Sequence, residues 1–265
     1  MSGELDQVLN LYKRRSETPL QTLERYASAH PAFKKVKMTY AGRLDPMAEG
    51  VLVALTGDKN KERDAYTGLD KDYEFEFVLG VETDTHDILG KIVKKNGEKT
   101  KNIQSQDREK EVAEALAKYV GTFMQKYPAY SSKVVDGKQL FDLARQGKID
   151  SIVLPEHQVT VAKLELLGKR AISAADFKTY LHQSIEALTG DFRQAEILAL
   201  WDAYIASAEA PRDFVVYRAR VTCGSGFYVR QLVSDIGRDL GTGAVTVSIL
   251  RTRVGALKVN DCWVG

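Results

Sequence analysis

Apolar and acidic residues alternate along Tyr73-Glu74-Phe75-Glu76-Phe77 before the run closes on Val78-Leu79 and stops at Gly80, the period-two pattern of a half-buried strand. Val159 to Leu167 and Phe214 to Cys223 alternate in the same way and are expected to be strands too. Elsewhere the apolar spacing lengthens to three and four residues. Glu111 to Val120 and Lys138 to Gln146 are therefore expected to be helices, stopped by Gly121 and Gly147. Ser173 heads a periodic run through Phe177, Leu181, Ile185 and Leu188, with Asp176 in the first turn, where its charge suits the helix dipole. That helix should end at Thr189-Gly190, and a second should run from Phe192 to about Ala208, making 173–208 a helical insertion between two strands. Val229 to Leu240 puts Leu232, Val233, Ile236 and Leu240 on one face, and the glycine-rich stretch to Gly243 reads as a helix stop. Asn96-Gly97, inside the lysine-rich stretch Lys91 to Lys101, predicts a hairpin tip. Strands and helices intermix without regular βαβ alternation. The predicted fold class is α+β, with a central mixed, largely antiparallel sheet flanked by helices and loops.

A chain of 265 residues, 44% of them hydrophobic, can bury a substantial core, and 28% charged residues of mixed sign argue against long disorder. There is no internal repeat or low-complexity linker, so residues 1–265 read as a single domain. No apolar run reaches the roughly 18 residues of a membrane span, and Met1 to Asn10 do not resemble a secretory signal, which leads us to expect a cytoplasmic protein. Cys223 and Cys262 stand alone, and His30, His86, His157 and His182 are scattered, so neither a metal site nor a disulfide framework is expected. The net charge is only +2, but it is unevenly spread. Leu11 to Lys37 carries seven Lys/Arg against two Glu, and Pro211 to Lys258 eight against three Asp. Brought together by folding, these segments would make a basic face for phosphates; kept apart, they are ordinary solvated surface.

Four segments bear on chemistry. Gly42-Arg43-Leu44-Asp45-Pro46-Met47-Ala48-Glu49-Gly50 leads into the apolar Val51-Leu52-Val53-Ala54-Leu55, and taken alone its Asp-Pro reads as a turn before a buried element. Lys71-Asp72-Tyr73-Glu74-Phe75 follows, with Glu82 to Gly90 after it. Then come Tyr127-Pro128-Ala129-Tyr130-Ser131-Ser132-Lys133, continuing to Gly147, and Gly224-Ser225-Gly226-Phe227-Tyr228-Val229-Arg230. In this order, from about Lys13 to Arg253, the chain resembles the TruB family of tRNA pseudouridine synthases, which modify the uridine at position 55 of the T loop.

The resemblance implies the pseudouridine synthase fold and a cofactor-free isomerase (an intramolecular transferase) that flips a uridine, breaks its N1–C1′ bond, turns the base and joins C5 to C1′. It makes Asp45 the catalytic carboxylate, attacking C1′ or removing a proton from C2′. It places Arg230 beside that carboxylate, where a charge-assisted pair would keep it ionised and oriented. Tyr73 would stack on the extracted uracil and help remove the C5 proton. Lys13 matches a lysine near the site, Asp87 an aspartate that contacts RNA, and Leu250 an apolar position against the base or ribose; Tyr228 lies in the same motif as Arg230. Residues near 125–157 match a mobile arm that closes over the stem-loop and keeps water out, with Lys133, Lys138 and Arg145 as phosphate contacts. The implied partner is the tRNA T stem-loop, bound by a monomer with no protein partner.

The pattern departs from the family in places. Tyr40 stands where a His usually holds the looped-out RNA; it keeps a stacking face but cannot become an imidazolium. Arg43 adds positive charge inside the aspartate motif. The C-terminal RNA-binding domain called PUA, common in the family, is not expected within these 265 residues. A catalytically silent tRNA chaperone of the same fold, and a synthase acting on another RNA, stay open as alternatives.

Overall fold

The computed structural model describes residues 5–95 and 108–265. Its centre is a nine-stranded sheet built from β1 (Val8–Lys13), β2 (Met38–Ala41), β3 (Ala48–Thr56), β4 (Lys71–Leu79), β7 (Gly121–Lys126), β10 (Glu156–Ser173), β11 (Asp213–Cys223), β12 (Ala244–Val254) and β13 (Leu257–Lys258). The order along the sheet is β1-β3-β12-β4-β11-β10-β7, with β2 beside β3 and β13 beside β12. The β3–β12 pair is parallel and the other pairs are antiparallel, so the mixed, largely antiparallel sheet is as expected. Between them, β5 (Val81–Thr83) pairs with β6 (Ile92–Lys95), and β8 (Val134–Val135) with β9 (Lys138–Gln139), and the first four helices are α1 (Pro19–Ala29), α2 (Arg63–Gly68), α3 (Glu109–Ala117) and α4 (Leu140–Arg145). The tip expected at Asn96-Gly97 lies outside the described residues.

The alternation in β4 does what its pattern implies. Phe75 and Phe77 are fully buried, and Phe77 stacks on Tyr217 of β11 with ring centroids 5.5 Å apart. On the opposite face Glu74 pairs with Arg220 at 2.6 Å and with Arg218, and Glu76 with Arg170 at 3.2 Å. The two faces thus separate core from solvent by strand parity. The core-side face is covered by the helical insertion, α5 (Ala174–Glu186) and α6 (Gln194–Ala206), and by α7 (Val229–Asp239). Ser173 caps α5 as its sequence predicts, accepting from the Asp176 N–H at 3.1 Å. Phe177 and Trp201 from this helix pair are fully buried, and Phe177 packs on Phe214 at 4.6 Å.

Some expectations shift. The helix predicted over Lys138–Gln146 spans only Leu140–Arg145. Asp136 and Gly137 both take positive φ (49° and 75°), so they form the two-residue turn of a small hairpin and draw Lys138 and Gln139 into strand pairing. The strand predicted over Val159–Leu167 runs from Glu156 to Ser173, because a bulge between Leu166 and Gly168 absorbs the break in alternation. The helix predicted over Glu111–Val120 is Glu109–Ala117.

Many charges of the two basic segments are taken up within the fold. Arg25 pairs with Glu17, Arg15 with Glu49, Arg253 with Asp72, Arg238 with Asp235, and Arg218 and Arg220 share Glu74. Lys13, Arg230 and Arg251 are buried. Nine of the fifteen cations in the two segments are thus engaged in ion pairs or buried, although Arg218, Arg220 and Arg238 also stay exposed. No helix among the described residues is long and apolar enough to cross a membrane.

Candidate active site

The loop carrying Asp45 lies between β2 and β3 and is pinned from both sides. Leu44 and Met47 are buried around it, anchoring the turn while Asp45 itself stays about a third exposed. Two buried cations donate to the backbone of this loop. Lys13 Nζ reaches the carbonyls of Ala48 (2.6 Å) and Pro46 (3.4 Å), and Arg251 reaches those of Gly42 (3.1 Å), Arg43 (3.4 Å) and Val51 (2.7 Å). Carbonyl oxygens that would otherwise be stranded in the interior are thereby satisfied. At Gly50 the backbones of β3 and β12 approach so closely that a Cβ would sit 2.3 Å from the Arg251 carbonyl oxygen, and its φ is +105°. Only glycine fits there without displacing a strand.

Arg230 enters from the first turn of α7 and is 3% exposed. Its Nε donates to Asp45 Oδ2 at 2.8 Å, Nη1 to the Thr85 carbonyl at 2.6 Å and Nη2 to the Tyr130 carbonyl at 3.2 Å. Asp87 Oδ2 lies 3.7 Å from the same Nε. Burial alone would pull the guanidinium down, but the charges of Asp45 and Asp87 outweigh it and leave Arg230 above its ordinary value. Asp87 is pushed up to about 6 by burial, against the pull of Arg230 and the hydrogen bond from Thr85. A buried cation thus faces two carboxylates, and only Asp45 also meets solvent.

Around Asp45 opens a cavity of about 1250 Å³, walled by Tyr73, Asp87, Tyr130, Tyr228, Ile249 and Arg251 among others. It exceeds the roughly 300–1,000 Å³ of an ordinary small-molecule pocket. Tyr73 on β4 is 8% exposed, its hydroxyl bonded to Arg251, and burial raises it above the usual phenol range. At neutral pH it is a neutral aromatic face and not a phenolate base.

The remaining expected residues divide. Tyr40, Arg43 and Arg145 border the cavity, and Tyr228 does so from the N-cap of α7 with its ring edge-on to Tyr127, centroids 5.8 Å apart. Lys138 is exposed on β9, and Lys133 lies over the Tyr127 ring at 5.0 Å; neither borders the cavity. Three more are placed by their neighbours. Leu250 does not line the cavity: it pairs with Glu74 and shares its face of the sheet, while its neighbours Ile249 and Arg251 point to the site, as strand parity demands. Lys13 is fully buried and acts on the Asp45 loop, so it has no surface to offer RNA. The Asp87 carboxylate, 6% exposed, accepts from Thr85 (2.6 Å) and the Leu89 N–H (2.9 Å) and lies beside Arg230, groups that hold it in the cavity wall.

Sequence reasoning missed Arg63, which is exposed at the cavity rim and donates to the Tyr40 carbonyl at 3.2 Å, and Arg193, which reaches the site from the helical insertion. It also missed the grip of Arg251. Arg63 precedes no motif and only its place beside Tyr40 marks it; Arg251 had a signal in following Val245, Val247 and Ile249 at alternate positions of one strand. Among the described residues no group of three or more His, Cys, Asp or Glu side chains could hold a metal ion.

A family model described as TruB family pseudouridylate synthase (N terminal domain) matches residues 30–187. The chain is 29% identical over 231 residues to a tRNA pseudouridine synthase B of Bacteroides thetaiotaomicron, covering 86% of this chain and 76% of the relative. It is 30% identical over 229 residues to one from Phocaeicola vulgatus, with the same coverage. Among solved structures, one titled as a Cbf5-Nop10-Gar1 complex matches with a TM-score of 0.54 and 18% identity, over 95% of this chain and 49% of that one. At that identity the likeness concerns the fold, and the chain spans about half the length of its structural neighbour.

Proposed function

Since the chain belongs to the TruB family of pseudouridylate synthases, we propose that it isomerises the T-loop uridine at position 55 of tRNA to pseudouridine, with Asp45 as the catalytic carboxylate. The observation that carries this reading is the Arg230–Asp45 pair at 2.8 Å, set where a solvent-reachable carboxylate meets the cavity. A flipped uridine brings its sugar to Asp45. The N1–C1′ bond breaks, with Asp45 either attacking C1′ or taking the C2′ proton; the base turns, C5 joins C1′, and the C5 proton is lost as N1 gains one. Atoms and electrons balance with no cofactor.

Arg230 fixes the carboxylate by a charge-assisted hydrogen bond, while its two Nη groups are tied to backbone carbonyls that hold it still. Tyr73 supplies a ring face to replace the stacking that the base loses on leaving the loop. Burial keeps its hydroxyl above the usual phenol range, and Asp45 is a carboxylate of the same cavity wall that also meets solvent. Arg43, Arg63 and Arg145 edge the cavity and form no ion pair among the described residues, which suits them to backbone phosphates.

The test is to incubate the protein with unmodified tRNA transcript and map pseudouridine chemically, in parallel with Asp45→Asn and with a transcript carrying cytidine at the target. Wild type should modify the T-loop position alone, and Asp45→Asn should lose about 10³-fold or more in rate. Product with the cytidine transcript moves the target elsewhere. Binding without any product leaves a tRNA chaperone, and product from Asp45→Asn removes the aspartate mechanism.

A further inference from the structure

The helical insertion does more than cover the sheet. The turn between α5 and α6 places Asp191, Phe192 and Arg193 in the cavity wall, opposite Tyr130, Phe141 and Arg145 from the arm segment. Arg193 holds a left-handed backbone (φ 63°), a conformation that disfavours a residue with a Cβ, and its side chain is aimed inward. Its guanidinium grips Asp84 through Nη1 at 2.6 Å and Nη2 at 3.4 Å, and lies over the Tyr130 ring at 4.9 Å. Tyr130 completes the triangle by donating its hydroxyl to Asp84 at 3.2 Å. The segments meet a second time where Arg145 donates to the Asp191 carbonyl at 3.3 Å and lies 6.0 Å from the Phe192 ring centroid.

The residues that Arg193 holds are the ones on which Arg230 depends. Arg230 Nη2 donates to the carbonyl of Tyr130, and Nη1 to that of Thr85, the residue after Asp84. One side chain from the insertion therefore contacts Tyr130, which supplies one backbone acceptor of the guanidinium that orients Asp45, and Asp84, the neighbour of the residue that supplies the other. Only one further hydrogen bond, Arg230 Nε to Asp45, separates them from the carboxylate. The Asp84 carboxylate is fully engaged, since it also accepts from the Lys91 N–H at 2.8 Å, so it cannot move without disturbing the turn that carries Thr85.

We propose that Arg193 is a positioning residue for the isomerisation: by clamping Asp84 and stacking on Tyr130 it fastens the arm to the catalytic core and fixes the carbonyls that hold Arg230 against Asp45. The assignment rests on the proposed synthase activity for its kinetic consequence, while the fastening itself is independent of it.

Two measurements on Arg193→Ala, Arg193→Lys and Asp84→Asn test this. Without RNA, trypsin cleavage after Lys133 and Lys138 should speed up several-fold in Arg193→Ala, with the urea midpoint close to wild type. With tRNA transcript, kcat should fall about tenfold or more while KM moves less, the signature of a lost transition-state alignment. Arg193→Lys should recover part of the rate, because an ammonium can pair with Asp84 but cannot make the forked contact or lie flat on the ring. The double variant Arg193→Ala/Asp84→Asn should be no slower than its slower parent, since both break one link. Unchanged arm cleavage, or kcat and KM within about twofold of an active wild type, overturns the proposal. A wild type that makes no pseudouridine overturns the activity reading and the kinetic role together, and the cleavage comparison still decides the fastening.

Discussion

Lys13 is a cation whose cost and use can be separated by pH. Burial lowers it from 10.5 to about 7, with the charge of Asp45 opposing the shift, while its Nζ holds the carbonyls of Pro46 and Ala48. In the unfolded chain the ammonium keeps its ordinary value, so between about 7 and 10.4 the unfolded state binds the extra proton and stability rises with pH. Below about 7 the desolvation cost is carried in full. Lys13→Met removes this titration. The stability of wild type relative to Lys13→Met should therefore grow by a few kcal/mol, as an order of magnitude, between pH 7 and pH 10, measured by urea unfolding at both. A difference that stays constant would show that Lys13 does not titrate in the fold. The same lysine shows the limit of a motif: its identity was legible in the sequence, but whether it faced RNA or the Asp45 loop depended on a strand pairing between residues far apart in the chain.

Among the elements, the parallel contact of β3 with β12 matters most, because it sets the Asp45 loop against Tyr73 and Arg251. Gly50 makes that contact possible, with the Arg251 backbone where its side chain would be. Gly50→Ala should cost about 3 kcal/mol from the strained φ and the backbone overlap, and kcat should fall alongside as the strands part. A urea midpoint unchanged from wild type would show that the strands accommodate the methyl group. Element type was largely legible: alternation marked β4, β10 and β11, and three-to-four spacing with a serine cap marked the insertion helices. Their ends were less so. The hairpin at Asp136-Gly137 overrode helical spacing in Lys138-Gln139 because two positive-φ residues reverse the chain more cheaply than a helix can start there. Leu250 lies off the cavity wall for a related reason, since a strand offers alternate residues to opposite faces and its register decides which.

For the molecule as a whole, a net charge of +2 hides where free positive charge lies. Most cations of the two basic segments are paired or buried, and Arg43, Arg63 and Arg145 remain at the cavity edge. Binding of tRNA should weaken as salt rises, and Arg63→Ala should lower affinity on any RNA sequence while reducing the slope of log affinity against log salt by roughly one. Filter binding across a salt titration reads this, and an unchanged slope removes Arg63 from the phosphate contacts. The sequence by itself determined the fold class, through hydrophobic period, and the family, through ordered motifs, because both are local signals; the resemblance then implied the pairing of the aspartate motif with a distant Arg230. Only the tertiary structure decided that Lys13 and Arg251 staple the Asp45 loop, that Ile249 and not Leu250 faces the cavity, and that Arg193 reaches it from the helical insertion. Each of these depends on which strands lie side by side and which backbone carbonyls are left inside, and no stretch of residues carries that information alone.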